Sequence, residues 1–182
     1  CRQTFFKNLL RLPDNSYMST PTNTPQTLAF IGGGNMASAI IGGLIKQGTP
    51  AQRILVVEPF EEARQRLEAQ FGVRVLAAAN ATLTEAGLII WAVKPQTFKE
   101  AAQQIRDFGA NALHLSVAAG IRSDSIASWL GTERVVRAMP NTPALVGLGQ
   151  TGLFARAAVT AIDKAWIEQV VATTGALLWV KD

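Results

Sequence analysis

The sequence predicts an α/β protein built on a doubly wound, mostly parallel sheet with helices on both faces. Short apolar segments alternate with helix-length segments along most of the 182-residue chain, which is typical of a parallel sheet with crossover helices. The apolar run LIIWAV at 88–93 shows no polar alternation, as expected for a strand that is covered on both faces. Right-handed crossovers then place helices on the two faces.

The individual elements follow from the apolar runs and from the turn residues between them. Strands are predicted at 28–31, 53–57, 73–76, 88–93, 112–117, 134–138, 151–155 and 176–180. Helices are predicted from near Asn35 to Lys46 and at 60–70, 95–106, 124–130 and 159–173, with a loop and a short helix at 80–86. The segment MPNTP at 139–143 is predicted to be a stiff loop because it holds two prolines.

Composition limits the function classes. The net charge is +4, and the basic residues are isolated, so a nucleic-acid surface is not indicated. Cys1 and His114 are the only cysteine and histidine, which excludes a disulfide framework and a Cys/His metal cluster and disfavours a Ser-His-Asp or Cys-His site. His114 lies mid-strand between apolar neighbours and is interpreted as structural. The uncharged segment 27–45 contains five glycines, so we interpret it as a buried strand and helix and expect no membrane span.

The sequence is expected to comprise an N-terminal extension and one α/β domain. Residues 1–26 form an N-terminal extension that we expect to be flexible, and its first 17 residues are either native, a targeting segment or an upstream extension. Residues 27–182 form the α/β domain.

The strongest functional signal is the glycine-rich segment TLAFIGGGNMASAIIGGLIK at 27–46, in which a strand, a tight turn and a helix follow one another. Gly32, Gly34 and Ala37 match the dinucleotide-binding fingerprint of the Rossmann fold, G-x-G-x-x-A. Gly32 permits the turn, Gly34 lets a pyrophosphate approach the backbone, and Ala37 allows close helix packing. The helix N-terminus faces the phosphates, and Asn35 is predicted to cap it.

Polar residues follow other strands, at the edge where such sheets bind ligands. Glu58 lies 24 residues after Gly34, where an acid bonds the ribose 2′-OH on the adenine side; alternatively, it complements the dipole of the next helix. Lys94 is a candidate for a phosphate or ribose hydroxyl or is a solvated charge, and Asn80 either caps a short helix or contacts adenosine. Gly120 and the pair Asn141 and Thr142 follow two further strands.

At these residues the sequence resembles pyrroline-5-carboxylate reductase. The matching motifs are FIGGGNMASAIIGGL (30–44), WAVKPQ (91–96), SVAAGI (116–121) and RAMPNTPALVGLGQTGL (137–153), and the similarity spans 27–182. The resemblance implies a cytoplasmic enzyme of proline biosynthesis that reduces 1-pyrroline-5-carboxylate to L-proline by hydride transfer from NADPH or NADH. Because Glu58 would repel a 2′-phosphate, we expect NADH to be used at least comparably with NADPH.

The resemblance also implies where the ligands bind. Met139, Asn141 and Thr142 would lie near the nicotinamide and substrate and are the nearest candidates for catalysis, although no catalytic residue is assigned. The implied cofactor contacts, with Glu58 added from its spacing, are Ile31, Gly32, Gly33, Gly34, Asn35, Met36, Ala37, Glu58, Asn80, Ala92, Val93, Lys94, Pro95, Ala118, Ala119 and Gly120.

One feature departs from the family. Its members continue into a helical domain that forms an intertwined dimer and supplies most of the substrate pocket, whereas this sequence stops at Asp182. We therefore expect a homo-oligomer only with that domain, and we expect this chain alone to bind cofactor with little or no activity.

Two alternatives stay open: a β-hydroxyacid or prephenate-type dehydrogenase, and a non-catalytic dinucleotide-binding module. A hydroxyacid dehydrogenase needs a base for the alkoxide proton, and Lys94 is the only strand-end candidate. A protonated cyclic imine needs positioning and little proton relay, which suits this sequence better. The MPNTP loop also argues against the dehydrogenase.

Overall fold

The computed structural model describes residues 26–181, so the predicted flexible extension lies outside the described residues apart from Gln26. The strands are β1 Thr27–Ile31, β2 Ile54–Val57, β3 Arg74–Leu76, β4 Ala86–Trp91, β5 Leu113–Ser116, β6 Val135–Pro140, β7 Gly149–Ala155 and β8 Gly175–Trp179. The α-helices are α1 Asn35–Lys46, α2 Glu61–Phe71, α3 Pro95–Ile105, α4 Ser123–Leu130 and α5 Ala161–Val171. Short 3₁₀ turns lie at Ala51–Arg53, Ala81–Glu85, Thr142–Val146 and Ala172–Thr174.

The strands form one sheet in the order β3-β2-β1-β4-β5-β6-β7-β8. Neighbouring strands are parallel except for β6 and β7, which pair antiparallel. The chain winds outward from β1 through β2 to β3 and then returns to β4 on the other side of β1. This confirms the predicted doubly wound, mostly parallel sheet, and the strand order reverses between β1 and β4, which is where such sheets bind ligands.

Helices cover both faces of the sheet, and each face has its own core. On one face, residues of α1, α2 and α5 such as Ile41, Leu67 and Ile167 pack on Phe30 and other strand residues. On the other face, α3 and α4 cover Trp91 and its neighbours. Because both faces of β1, β2 and β4 are covered, these three strands have no polar alternation.

Most boundaries lie within a few residues of those predicted, and two of the differences affect the candidate site. Met139 and Pro140 belong to β6 and not to a loop, because they pair antiparallel with Gly152 and Thr151 of β7. Proline is tolerated there since it is the last residue of the strand. The strand predicted at 88–93 runs from Ala86 to Trp91, so the two residues after it are free to line a site.

None of the helices within residues 26–181 is both long and apolar enough to cross a bilayer. The uncharged segment 27–45 corresponds to β1, the glycine turn and most of α1.

Candidate functional site

The carboxyl ends of the first four strands surround a cleft of about 540 Å³. Its walls are formed by residues 31–34 after β1, 57–60 after β2, 77–79 after β3 and 92–94 after β4. One side of α3 completes the wall. Since β1 and β4 are the strands between which the order reverses, the cleft lies at the position expected for a ligand of a doubly wound sheet.

The first glycine makes the turn that opens the cleft. Gly32 has φ +94°, a conformation that favours glycine, and a Cβ there would lie 2.7 Å from the carbonyl oxygen of Ala92. The Gly32 N–H donates to the carbonyl of Val57 at 2.9 Å. The turn is therefore tied to β2 and lies against the segment that follows β4.

The third glycine leaves the N-terminus of α1 open. Gly34 has φ −74°, and nothing lies within 4 Å of the position that its Cβ would occupy. The first hydrogen bond of the helix runs from Ser38 N to Gly34 O at 2.9 Å. The N–H groups of residues 35–37 therefore have no acceptor within the helix and can bind an anion.

The predicted capping role of Asn35 is wrong. Asn35 is the first residue of α1, and Gly34 occupies the cap position with extended backbone and no side-chain hydrogen bond. A capping side chain must come from the residue before the first helical turn. Since glycine has no side chain there, the end of the helix stays accessible.

Glu58 is held in place by the backbone around it. Glu58 is only 7% exposed. Its Oε2 accepts a hydrogen bond from Gly33 N at 2.8 Å, and its Oε1 accepts one from Phe60 N at 3.0 Å. On the other side of the same glycine, Arg66 Nη2 donates to Gly33 O at 3.3 Å. Glu58 and Arg66 therefore hold the glycine turn from two sides. The position of Glu58 in the sequence, 24 residues after Gly34, did not reveal this role.

The structure brings half of the predicted cofactor contacts together. The residues that line the cleft are Ile31, Gly32, Gly33, Gly34, Glu58, Ala92, Val93 and Lys94. The predicted contacts outside its lining are Asn35, Met36, Ala37, Asn80, Pro95, Ala118, Ala119 and Gly120.

Two of these outlying residues have clear structural roles. Asn80 Oδ1 accepts from Thr82 N at 2.9 Å and caps the 3₁₀ turn Ala81–Glu85, which is the first of its two predicted interpretations. Ala37 is fully buried in the core on the α1 face, where its small side chain permits the close packing expected of the fingerprint.

Sequence reasoning missed the outer part of the cleft. Pro59, Phe60 and the three alanines 77–79 line it beyond Glu58, and α3 contributes Thr97, Glu100, Ala101, Gln104 and Ile105. Residues after β2 and β3 become neighbours only because those strands are adjacent, with Val57 paired to Leu76. The signal available in the sequence was a phenylalanine three residues after the end of a predicted buried strand.

The residues expected near the substrate lie at the end of β6, outside the cleft lining. Met139 is 46% exposed, and Asn141 and Thr142 are exposed too. Asn141 Oδ1 accepts from Gln150 N at 2.9 Å, so this side chain also holds the connection between β6 and β7. The three residues form an open rim at the same edge of the sheet.

His114 is enclosed in the core and takes no part in the cleft. Its Nδ1 accepts from Trp91 Nε1 at 3.0 Å, and its Nε2 donates to Gly109 O at 3.1 Å. The pKa of His114 is lowered from 6.5 to about 4, chiefly by burial; the hydrogen bond to Gly109 opposes this shift, and the charge of Arg134 adds to it. The imidazole is therefore neutral and structural, as interpreted from the sequence.

A glycine turn and an open helix N-terminus at the strand-order reversal define a dinucleotide-binding protein with a Rossmann-type fold. The family model described as NADP oxidoreductase coenzyme F420-dependent matches residues 27–120, more than half of the chain. The chain belongs to that family.

Several of the similar proteins are reductases of the type that the motifs resemble. The chain is 40% identical over 167 residues to pyrroline-5-carboxylate reductase of Pseudomonas aeruginosa, covering 91% of this chain and 59% of that protein. A pyrroline-5-carboxylate reductase structure from Coxiella burnetii matches with TM-score 0.82 and 34% identity, covering 86% of this chain and 59% of the other. The Plasmodium falciparum enzyme with NADP bound matches with TM-score 0.75 at 22% identity over 86% of this chain and 58% of its own. The resemblance is confirmed, and the chain spans about three fifths of the length of these relatives.

Proposed function

We propose that this chain forms the cofactor-binding part of a pyrroline-5-carboxylate reductase, which reduces 1-pyrroline-5-carboxylate to L-proline with NADPH or NADH. The observation that carries the proposal is the glycine-turn cleft between β1 and β4 in a chain 40% identical to such a reductase. The reductase of Plasmodium falciparum has NADP bound, which supports the same class of cofactor here. We propose that the enzyme acts in proline biosynthesis and in the cytoplasm.

The residues around the cleft fit a dinucleotide. The positive φ of Gly32 and the open space at Gly34 leave backbone room for a pyrophosphate, and the N-terminus of α1 favours its charge. Glu58 would bond the adenosine ribose, and Lys94 would meet a phosphate or ribose hydroxyl. When bound, the nicotinamide supplies the hydride that reduces the substrate.

The titratable side chains favour an imine substrate over a hydroxy acid. Those that line the cleft are Glu58, Lys94 and Glu100, whereas His114 is only 1% exposed and bonded to Trp91 and Gly109. An alkoxide proton would need a base such as histidine or lysine at the nicotinamide. Lys94 is the one such residue in the cleft lining, and in this proposal it meets a phosphate or ribose hydroxyl of the cofactor. A protonated imine requires only that the chain orient it and exclude water.

We further propose that a partner subunit helps to enclose the substrate in the assembled enzyme. The rim of Met139, Asn141 and Thr142 is exposed and forms a single wall. Small-molecule sites bury most of their ligand, so an anionic imine needs a second wall, and in the assembled enzyme a partner subunit would supply it.

The test uses this chain and a chimera in which residues 27–181 replace the matched part of the Pseudomonas aeruginosa reductase. Oxidation of NADH or NADPH is followed with 1-pyrroline-5-carboxylate, and reduction of NAD(P)⁺ is followed with a 3-hydroxy acid and with prephenate. We expect the chimera to turn over 1-pyrroline-5-carboxylate but neither the 3-hydroxy acid nor prephenate. We expect little turnover by this chain without the rest of the reductase. Turnover with the hydroxy acid or prephenate would favour a dehydrogenase, and cofactor binding without any turnover by the chimera would favour a binding module.

A further inference from the structure

Arg137 is a charged residue inside strand β6. Its neighbours Val136 and Ala138 are buried in the core that α1, α2 and α5 cover, whereas Val135 is buried in the core on the other face. Because side chains alternate along a strand, Arg137 points to the same face as Val135 and Met139. Arginine is rarely buried in a sheet without a partner, so this position requires an explanation.

The guanidinium of Arg137 is not satisfied by the described residues. Its Nε is buried and has no hydrogen-bond partner among them, and none of their carboxylates forms an ion pair with it. Two nearby arginines do have partners, since Arg134 Nη2 donates to Asp163 Oδ1 at 2.7 Å. Likewise, Arg156 Nε donates to Glu133 Oε2 at 2.6 Å. A buried donor without an acceptor is destabilising, the more so when it is charged, so Arg137 can gain from an acceptor on another surface.

The surroundings of Arg137 are apolar and largely uncovered. Arg137 pairs with Phe154 of β7, Met139 pairs with Gly152, and Gly152 pairs in turn with Leu178 of β8. Met139 is 46% exposed and Leu178 is 68% exposed, and Phe154 is half-buried. We call these five residues the uncovered face. It combines apolar surface with one unpaired positive charge.

The position of Arg137 favours a polypeptide over a small anion. Arg137 does not line the cleft, and it precedes the rim residue Met139 by two positions, roughly 7 Å along a strand. A free anion would give up its water for one guanidinium among apolar side chains. An acidic side chain on an apolar polypeptide surface supplies the acceptor and covers Met139 and Leu178 in the same contact.

We propose that Arg137 is the charged anchor of a docking surface: the uncovered face binds an apolar polypeptide segment that places one aspartate or glutamate on the Arg137 guanidinium. The segment is assigned to the rest of the reductase, so its source rests on the proposed function. The Pseudomonas aeruginosa relative has about two fifths of its length outside the match, which is enough polypeptide to cover this face. An arginine binds a carboxylate through two parallel hydrogen bonds, which fix orientation as well as adding affinity.

The test makes the same substitutions in this chain and in the chimera of residues 27–181 with the rest of the Pseudomonas aeruginosa reductase. Arg137→Met removes the charge and keeps an unbranched apolar side chain. In this chain it should leave the midpoint of thermal unfolding unchanged or raise it, because an unsatisfied donor is lost. In the chimera it should lower the midpoint by at least about 4 °C, because a carboxylate loses its partner. Arg137→Lys keeps a charge without the planar donors, and its effect on the chimera should be smaller.

Arg134→Met is the matched control, because the partner of Arg134 is the described Asp163. It should lower the unfolding midpoint of both proteins. The acceptor is then sought by changing each acidic residue of the other part of the chimera to its amide. One such variant should reproduce the effect of Arg137→Met, and the double variant should be no worse than either single variant.

The failures of the two proposals are distinguishable. If Arg137→Met lowered the midpoint equally in both proteins, Arg137 would be a structural residue of this domain and the docking proposal would be overturned. An unchanged midpoint in the chimera would overturn it as well. A raised KM for 1-pyrroline-5-carboxylate at unchanged chimera stability would make the substrate carboxylate the acceptor instead. If the two proteins respond with opposite signs, but no form of the chimera reduces 1-pyrroline-5-carboxylate, the docking surface stands and the proposed function fails.

Discussion

The part of the sheet around β1, β2 and β4 and its β7–β8 end differ in how fully their apolar side chains are covered. All four residues of β2 are buried, and so are the last four of β1. In β8 exposed and half-buried residues alternate, and Leu178 is 68% exposed. Nearby on the chain, Val146 and Leu148 of the segment leading to β7 are also exposed. The strands β1, β2 and β4 with the cleft, called the closed end below, are covered within the described residues. The strands β7 and β8, called the open end, present apolar surface that those residues leave uncovered.

The reversal of strand direction explains the difference. Crossover helices of parallel strands cover both faces of the sheet, but β7 pairs antiparallel with β6. Leu177 and Trp179 pack on the core that α5 covers. Met139, Gly152 and Leu178 share the opposite face through their strand pairing. Because exposed apolar patches mark contact surfaces, the closed end is expected to bind a small ligand and the open end another polypeptide surface.

The largest predicted effect is a pH dependence of the free energy of unfolding, caused by the buried His114. The folded-state pKa of His114 is about 4 against an ordinary 6.5, so the unfolded chain takes up the proton first as the pH falls. The stabilisation from a neutral His114 is complete above pH 6.5 and is lost as the pH drops toward 4. We expect the free energy of unfolding to fall by roughly 3 kcal/mol across this window from this residue alone.

Denaturant unfolding at several pH values measures this effect against His114→Asn. Carboxylates titrate in both proteins and cancel in the comparison, so the difference between the two curves isolates the histidine. The variant should be less stable at pH 7 and should show a flatter pH dependence between 6.5 and 4. Parallel curves would mean that His114 becomes protonated inside the folded protein at its ordinary pKa.

The next largest effect is on cofactor affinity and concerns Gly34 in the glycine turn of the closed end. Gly34→Val places a branched side chain where nothing lies within 4 Å, and the φ of −74° is accessible to valine. We therefore expect the fold to persist and the Kd of NADH to rise at least tenfold, about 1.4 kcal/mol, because the pyrophosphate can no longer approach the backbone. Cofactor fluorescence titration measures it.

Gly152→Val is the matched control at the open end. Its Cβ would make only ordinary contact with Met139 Cε at 3.8 Å, in a strand that tolerates a β-branched residue. This variant should bind NADH like the unaltered chain. Unchanged affinity in Gly34→Val would remove the glycine turn from the cofactor site.

The comparison also separates what the sequence could predict from what it could not. The turn at Gly32 and the open Gly34 were predictable because the fingerprint encodes a local backbone shape. Phe60 and the alanines after β3 were not, because hydrophobic periodicity does not state which strands lie side by side. The bond from Gly33 to Glu58 joins residues 25 positions apart, and it exists only once β1 and β2 are paired. Asn35 was misjudged because helix boundaries shift by a residue.

A smaller effect concerns cofactor choice at the closed end. NADH should bind at least as well as NADPH, since the Glu58 charge opposes a 2′-phosphate. Glu58→Gln removes this charge, and it leaves a single oxygen to accept from Gly33 and Phe60. Both Kd values should therefore rise, while the ratio of NADPH to NADH affinity moves about fivefold toward NADPH, roughly 1 kcal/mol. A hundredfold NADPH preference in the unaltered chain, or an unchanged ratio in the variant, would show that Glu58 does not face the ribose.

The smallest effect on stability belongs to the open end. β8 is an edge strand of five residues, and an edge strand with exposed apolar side chains is a template for association. Leu178→Lys introduces a charge on the uncovered face, where little packing is lost because the side chain is mostly exposed. The free energy of unfolding should change by less than about 0.5 kcal/mol, while self-association measured by sedimentation velocity over a range of concentrations should decrease.

Ile162→Lys is the control for this prediction and should leave association unchanged. Ile162 is more exposed than Leu178, but it lies on α5, which covers the opposite face. If both variants reduced association equally, the effect would be one of net charge, and the face of Met139, Gly152 and Leu178 would not be the contact surface.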